Sequence, residues 1–326
     1  MKLPHRRKFL HLAAGAAALP AVSRVAKAQA YPSRPVRIIV GFAAGGPADI
    51  VARLMAQWLS ERLGQQFVVE NRTGAATNIA TEAVVRAPAD GYTLLLAATP
   101  AAINATLYEK LSFNFIRDIV PVASLIRAPS VMEVNLSVPA KTVPEFIAYA
   151  KANPGKLTMA SSGIGTPSHV FGELFKVMTG VNLMHVPYRG AAPAASDLLA
   201  GQVQVFFDPM ANSIAYIKAG KVRALAITSA KRSEALPDVP SVSEFVPGYE
   251  ASFWFGVGAP KATPADIVDK LNKEVNAALD DPKMKARLAD LGGTVLLGSP
   301  ADFGKHIAEE TEKWAKVIRA ANIKPE

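Results

Sequence analysis

The stretch GFAAGGPADIV (residues 41–51) decides how this chain folds, and SSGIGTPSHV (residues 161–170) repeats its pattern 120 residues later. Each stretch follows an apolar run, 36–40 or 157–160, that predicts a buried strand. In each, a proline stands after the glycines, where the first helical residue is expected. The pattern therefore predicts, twice, a strand, a glycine-rich loop and a helix N-terminus.

The two predicted helix N-termini are candidate anion sites. Their unpaired N–H groups and the helix dipole favour negative charge, and glycine lets the backbone approach a ligand closely. Gly41 and Gly46 have the spacing of the outer glycines of a P-loop, but Pro47 and Ala48 stand where that motif has its lysine and its Ser or Thr. A small carboxylate thus fits better than a nucleoside triphosphate. The alternative is a pair of ordinary turns that face water.

Residues 1–30 have the pattern of an export signal. RRKFL (6–10) precedes an apolar stretch at 12–22, and small residues follow as far as Ala30. The paired arginines match the twin-arginine type, and we expect cleavage after Ala30 or Ala28. The apolar stretch is shorter than the ~20 residues of a membrane span. The sequence therefore predicts a soluble protein in the periplasm.

Most of the positive charge lies in this predicted signal. Six of the 36 Lys and Arg residues, but none of the 27 Asp and Glu residues, precede residue 31, so cleavage lowers the net charge from +9 to +3. No basic stripe or aromatic platform remains to indicate a nucleic-acid partner. The chain has no cysteine, which excludes disulfides and thiol nucleophiles. The remaining length suits two domains.

The order of predicted elements indicates an α/β fold with a hinge. Strand and helix patterns alternate over residues 36–227, which predicts a mostly parallel sheet. Residues 264–320 instead have the pattern of charged amphipathic helices, and we expect them to pack back on the first half. The chain would then cross between two lobes near 125–131 and again near 253–256.

Patterns for catalysis or metal binding are missing from the sequence. His169, His185 and His306 follow the predicted signal without metal-ligand spacing. Ser161 and Ser162 do not form the G-x-S-x-G nucleophile elbow. We predict no enzymatic activity, no metal and no cofactor. The alternative function is an exported α/β hydrolase or lyase that acts on a small organic acid.

Seven motifs in a fixed order along the chain resemble those of the Bug family, the periplasmic solute-binding receptors of tripartite tricarboxylate transporters. They are YPSRPVRIIV (31–40), GGPAD (45–49), VENR (69–72), DGYT (90–93), SSGIGT (161–166), VPYRG (186–190) and LPDVP (236–240). The resemblance covers essentially the whole chain after the predicted signal.

The resemblance implies an α/β, two-lobed type II periplasmic binding protein, a Venus flytrap with a hinge of two crossover segments. Residues 31–127 and 255–326 would form lobe I, and residues 128–254 lobe II. The protein would be a monomer that binds a small carboxylate between its lobes and delivers it to membrane permease subunits. Sensing for a signalling partner is the alternative to transport, and dicarboxylates, aromatic acids and acidic amino acids remain open as ligands.

The resemblance also implies the ligand-binding residues. Those of the first lobe are Phe42, Ala43, Ala44, Gly45, Gly46 and Asp49. Those of the second lobe are Ser161, Ser162, Gly163, Gly165, Thr166, His169, Tyr188, Arg189 and Asp208. We expect the Thr166 hydroxyl to donate to the ligand or to a bridging water, and Asp208 to order a water or to pair with an ammonium group.

Four of these residues have structural alternatives. Asp49 suits a first-turn acid that stabilises the helix dipole, His169 a partner of the loop backbone, and Asp208 a turn residue before proline. Arg189 suits an exposed ion pair.

One segment departs from the family pattern. Many relatives continue Asn-Arg with Pro-Gly-Ala-Gly-Gly, whereas this chain has TGAAT at residues 73–77, followed by Asn78. The loss of a proline and two glycines is expected to stiffen or reshape a loop at the cleft mouth. Thr77 and Asn78 are candidate contacts to the distal end of the ligand.

Overall fold

A computed structural model describes residues 31–325, and the predicted signal lies outside the described residues. The strands are β1 Val36–Val40, β2 Phe67–Asn71, β3 Thr93–Ala98, β4 Ile119–Val134, β5 Thr158–Ser161, β6 Met184–Pro187, β7 Val205–Pro209, β8 Arg223–Ile227, β9 Ser252–Pro260 and β10 Thr294–Val295. The helices are α1 Pro47–Leu63, α2 Asn78–Val85, α3 Thr99–Leu107, α4 Phe115–Asp118, α5 Val143–Ala152, α6 Pro167–Thr179, α7 Ala191–Leu199, α8 Met210–Lys218, α9 Ala265–Asp280, α10 Pro282–Ala289 and α11 Pro300–Ala320.

The strands follow one another in the order β2-β1-β3-β9-β4-β7-β5-β6, with β8 and β10 also paired to β4. The outer strands are parallel, β1 to β2 and β3 on one side and β5 to β6 and β7 on the other. The central strands β4 and β9 are antiparallel to their neighbours. The prediction of a mostly parallel sheet is therefore wrong at the centre, where the strands carry the chain between two halves instead of closing βαβ units.

Strand β4 makes the first crossing between the two halves. It pairs with β9 as far as Pro129, and from Ser130 onward it pairs with β7. The crossing thus lies within the predicted segment 125–131. The chain returns just before β9, where Ala251 still donates to Thr228 of the second half, slightly earlier than the predicted 253–256. Two halves joined by two crossover segments are the two-lobed type II arrangement.

Strand β3 is buried on both faces, which explains its continuous apolar sequence. Alternate side chains of a strand point to opposite faces of the sheet. Leu94 and Leu96 accordingly pack in a cluster with residues of α1 and α9. Leu95 and Ala97 lie in the cluster that contains residues of α2, α3 and α11.

The C-terminal helices pack back on the first half, as predicted. Helix α9 contacts α1 and β4, and α11 contacts α3 and β4. Helix α11 also contacts α6 of the second half. In the part of the chain that is described, no helix combines the length and the apolar character needed to cross a bilayer.

Candidate functional site

In the described chain, five of the helices that follow a parallel strand begin at one common cleft. Helices α1 and α3 follow β1 and β3 of the first half, and α6, α7 and α8 follow β5, β6 and β7 of the second. The carboxyl ends of parallel strands share one edge of a sheet, which is where open α/β sheets bind ligands. The two edges border one cleft, so five helix N-termini meet there.

This cleft has a volume of about 660 Å³. Its walls are the first turns of the five helices together with the loop before α1, and β4, β9 and the turn after α10 complete it. The lining residues are Phe42, Ala43, Ala44, Gly46, Pro47, Ala48, Ala98, Thr99, Pro100, Ala128, Pro129, Pro167, Ala191, Ala192, Pro209, Met210, Ala211, Phe253, Phe255 and Leu291.

The electrostatics of the cleft come from the backbone. Among the described residues that line it, none has an ionisable side chain. Each helix N-terminus carries a partial positive charge and N–H groups without intrahelical partners. The cleft can therefore bind an anion without a lysine or an arginine in its wall.

The first glycine loop, residues 41–49, is held from behind by Asp49. The buried carboxylate of Asp49 accepts hydrogen bonds from the Gly45 amide at 2.9 Å, from Arg53 at 2.8 Å and from the Asn71 side chain at 2.9 Å. The hydrogen bond from Arg53 is the main reason why the pKa of Asp49 is lowered to about 2. Asp49 thus holds the loop in shape, and it does not line the cleft.

The backbone of the first glycine loop is open toward the cleft. Phe42, Ala43, Ala44 and Gly46 all line it. Within residues 31–325, the amides of Ala43, Ala44 and Gly46 have no hydrogen-bond partner. Three free amides beside a helix N-terminus are a suitable cradle for a carboxylate.

The second glycine loop, residues 161–169, is closed by its own hydrogen bonds. The Ser162 amide donates to the Ser168 hydroxyl, the Gly163 amide to the Ser161 hydroxyl, and the Thr166 amide to the Gly163 carbonyl. The Thr166 hydroxyl also donates to that carbonyl, at 2.7 Å. Of this loop only Pro167 lines the cleft.

Two histidines support the second glycine loop. His169 accepts from the Gly165 amide at 3.1 Å, and its ring stacks on that of His185 with centroids 3.7 Å apart. His185 lies 2.6 Å from the Ser161 hydroxyl, but Ser161 is fully buried and does not line the cleft. Burial, followed by the nearby His169, lowers the pKa of His185 to about 4. In the described chain no group of three or more His, Asp or Glu residues is placed to hold a metal.

Tyr188 and Arg189 lie just before α7. The Tyr188 hydroxyl donates to Asp197 at 2.6 Å, and burial, together with this partner, raises the pKa of Tyr188 to about 12. Arg189 is exposed beside Gly190, the N-cap residue of α7. In the described part of the chain Arg189 makes no ion pair.

Asp208 lies behind the cleft wall and is fully buried. Asn212 and Ser213, in the first turns of α8, donate to its carboxyl group at 3.3 and 3.4 Å. Glu133 is also fully buried on the neighbouring strand β4. Burial raises the pKa of Asp208 to about 7, and burial together with the negative charge of Asp208 raises that of Glu133 to about 8. The next residue, Pro209, lines the cleft.

Thr77 and Asn78 lie behind the first glycine loop instead of lining the cleft. Ala75, Ala76 and Thr77 have φ values of 44°, 50° and 75°, so three consecutive residues other than glycine have a left-handed backbone. The Asn104 side chain donates to the Ala76 carbonyl and to the Asn78 side chain, at 2.7 and 2.9 Å. The loop is therefore held in a conformation that is strained for residues other than glycine.

Two cleft-lining helix N-termini were not anticipated from the sequence. The alternating strand and helix patterns of residues 36–227 did not indicate a helix at Thr99 or a helix start as early as Met210, where α3 and α8 begin. A signal for both was available. Pro100 stands two residues after the end of an apolar strand, and Pro47 and Pro167 likewise come after the glycines of their loops. Pro209 directly precedes α8.

The chain matches a family of known proteins along most of its length. The model of the tripartite tricarboxylate transporter family receptor matches residues 51–323. The R. palustris protein Rpa4515, solved with adipate, is 39% identical, and the match covers 91% of this chain and 100% of that chain with a TM-score of 0.81. The periplasmic binding protein BugD is 37% identical over 91% and 100%, with a TM-score of 0.77. MatC of Rhodopseudomonas palustris, with bound malate, is 34% identical over 88% and 100%, with a TM-score of 0.76.

Proposed function

Because this chain belongs to the family of tripartite tricarboxylate transporter receptors, the Bug family that its motifs resemble, we propose that it is a periplasmic receptor for a small carboxylate. It delivers this ligand, as a monomer, to the permease subunits of such a transporter. Adipate and malate in the structures of Rpa4515 and MatC support the ligand class. Family members are receptors and not enzymes, which argues against the hydrolase alternative.

The observation that carries the proposal is the convergence of five helix N-termini on a cleft without ionisable side chains. A carboxylate there meets amide donors and the positive ends of the helix dipoles. We place it on the free amides of Ala43, Ala44 and Gly46, with α7 and α8 supplying the facing wall from lobe II. Asp49 and His169 act behind the wall by binding the amides of Gly45 and Gly165, and Asp208 lies buried behind Pro209.

The lobes close on the ligand in this proposal. Lobe I comprises residues 31–127 and 255–326, and lobe II residues 128–254, so the two crossover segments form the hinge. A ligand that contacts both lobes only in the closed form shifts the population toward that form. Small-angle scattering is then expected to show a smaller radius of gyration once a bound acid saturates the protein.

Export precedes binding. Residues 1–30 would direct the chain to the periplasm as a twin-arginine signal, with cleavage after Ala30 or Ala28. The absence of cysteine suits that oxidising compartment.

The test of the function is calorimetry with carboxylates on the mature protein and on Ala44→Asp. Ala44 is exposed in the first glycine loop and lines the cleft, so a carboxylate there repels an anionic ligand. Two like charges about 5 Å apart interact by roughly 3 kcal/mol at an effective dielectric constant of about 20. We expect a loss of affinity of at least about tenfold. Ala230→Asp, on an exposed residue that does not line the cleft, is the control.

Two results would overturn the proposal. One is failure of every carboxylate to bind the folded, mature protein. The other is that Ala44→Asp, like the control Ala230→Asp, binds the carboxylate with unchanged affinity. Turnover of a bound acid by the purified protein would favour the hydrolase or lyase instead.

A further inference from the structure

We propose that the cleft selects a carboxylate carried on an unsubstituted hydrocarbon body and discriminates against hydroxylated acids. This inference rests on the proposed function and specifies its ligand. The anionic end of the ligand is bound by backbone amides, and the rest of the ligand lies against apolar side chains.

The wall beyond the first glycine loop is apolar and partly aromatic. Phe42 and Phe255 pack edge to face with ring centroids 6.3 Å apart. Phe253 packs edge to face on the buried Phe171 at 5.2 Å, which fixes its ring at the base of the cleft. Leu291 completes this side. Such rings bury hydrocarbon well, since aromatic side chains offer large apolar surfaces.

Side-chain partners for a ligand hydroxyl are missing from the described lining. Thr99 is its one polar side chain, and it is buried with its oxygen accepting from the Trp254 amide at 2.9 Å. The hydroxyls of Ser161 and Thr166 are bonded within the second glycine loop. A hydroxyl on the part of the ligand that lies against these apolar side chains, away from the amides of the helix N-termini, would lose its water without gaining a side-chain partner, which is costly.

The expected differences in affinity between longer and shorter acids, and between hydroxylated and unsubstituted acids, can be estimated. Burying one methylene group strengthens binding about fourfold, so two of them give about 15-fold. Burying an unpaired hydroxyl weakens binding by at least about fivefold. A cleft of about 660 Å³ has room for a six-carbon acid, because cavities of this order hold drug-sized ligands.

Calorimetry on the mature protein with two matched sets of acids tests the inference. The first set is succinate, adipate and malate, and the second is butanoate, hexanoate and 3-hydroxybutanoate. In whichever set binds, we expect the longer acid to bind about 15-fold more tightly than the shorter one. We expect the hydroxylated acid to bind at least about fivefold more weakly than its parent acid.

A matched pair of variants tests whether the lining causes the selection. Leu291 is partly exposed and lines the cleft, whereas Leu297 is an exposed leucine outside it. Leu291→Gln keeps the size of the side chain and adds a donor and an acceptor. It is expected to weaken adipate binding and to reduce the ratio of the succinate affinity to the malate affinity by about threefold. Leu297→Gln is expected to change neither quantity.

The outcomes separate this inference from the function on which it rests. Malate binding as tightly as succinate, or adipate binding no better than succinate, overturns the inference and leaves a carboxylate receptor. If Leu291→Gln has the same selectivity as the native protein, the apolar lining does not cause the selectivity, and the inference is again overturned. Failure of all six acids to bind overturns the proposed function itself.

Discussion

The first and second glycine loops hold their helix N-termini in the same way, each by a side chain four residues beyond a left-handed glycine. Gly45, with φ of 84°, donates to Asp49, and Gly165, with φ of 71°, donates to His169. One further turn along, Asp49 pairs with Arg53 at 2.8 Å, whereas His169 lies 3.6 Å from Glu173. The two loops thus share a backbone design with acid and base exchanged.

They differ in what they leave for a ligand. In the first loop the amides of Ala43, Ala44 and Gly46 are free at the cleft, whereas in the second loop the amides of Ser162, Gly163, Gly165 and Thr166 are bonded within the chain. In the second half, α7 and α8 line the cleft with their first residues instead. A glycine-rich strand-to-helix turn therefore predicts a helix N-terminus well, but only the polar side chains around the turn decide whether its amides are available.

The largest expected contrast between the loops is steric. A Cβ atom added at Gly165 would lie 2.1 Å from the Leu107 side chain, whereas one at Gly45 would meet nothing within 4 Å. Both positions have positive φ, so Gly45→Ala should cost about 1 kcal/mol of unfolding free energy. Gly165→Ala adds overpacking against the buried Leu107 and should cost about 2–4 kcal/mol. Urea denaturation measures both, and equal losses would contradict the difference.

The sequence predicted the elements whose signals are local. The strand 36–40 and the helix starts at Pro47 and Pro167 agree with the structure because glycine and proline fix the backbone at those points. Strand β4 was not recognised as a single element of 16 residues. The first part of β4 pairs with β9 and the second part with β7, and only the tertiary structure shows this change of partner.

The candidate site was predictable in position but not in detail. The family resemblance indicated the first glycine loop, and four of its six candidate residues line the cleft. The sequence does not show that the Thr166 hydroxyl prefers the Gly163 carbonyl to a ligand, because that choice depends on the turn geometry. Nor does it show that Asp208 is buried beside Glu133, since those residues lie on strands that are distant in sequence.

The next expected contrast is in acid sensitivity. The folded protein holds the pKa of His185 near 4, below its ordinary value of 6.5. As the pH drops, the unfolded chain therefore binds a proton there first, so stability falls between about pH 6.5 and 4. Because the ring is only partly buried and solvent screens its charge, we expect a loss of about 1–2 kcal/mol instead of the roughly 3 kcal/mol of the full shift. The free energy of unfolding of His185→Gln, measured by urea titration at each pH, should not show this decrease. Asp49→Asn is the control, because the stabilising contribution of the Asp49 carboxylate is constant above its ordinary pKa of 3.8 and is lost only as the pH falls from there toward 2.

Another buried pair of side chains changes stability with pH in the opposite direction, so the effect of His185 is measured as a difference between variants. The raised pKa values of Glu133 and Asp208 mean that the folded state holds protons that the unfolded state has released. Their effect lowers stability as the pH rises from about 4 to 8. An identical pH slope in His185→Gln and in the native protein would contradict the assignment to His185.

A smaller effect is expected behind the first glycine loop. Ala76 is exposed at φ of 50°, a conformation that costs an alanine about 1 kcal/mol more than a glycine. Ala76→Gly should therefore be neutral or stabilising by up to about 1 kcal/mol, despite the greater freedom of its unfolded chain. Ala230→Gly, at an exposed site without positive φ, should be destabilising by about 0.5–1 kcal/mol. If thermal unfolding shows equal losses for both variants, residue 76 is not strained.

The smallest expected effect on binding belongs to Thr166, and it bears most directly on how the loops differ. Its hydroxyl donates to the Gly163 carbonyl at 2.7 Å and lies 3.1 Å from the Ser168 hydroxyl. Thr166→Val keeps the shape of the side chain and removes an internal hydrogen bond, so unfolding free energy should fall by about 1 kcal/mol. Affinity for a carboxylate should change by less than about threefold, because the first glycine loop and the α7 and α8 N-termini supply the donors. A tenfold loss of affinity at unchanged stability, measured by calorimetry and urea denaturation together, would instead make the second glycine loop a direct ligand-binding element equal to the first.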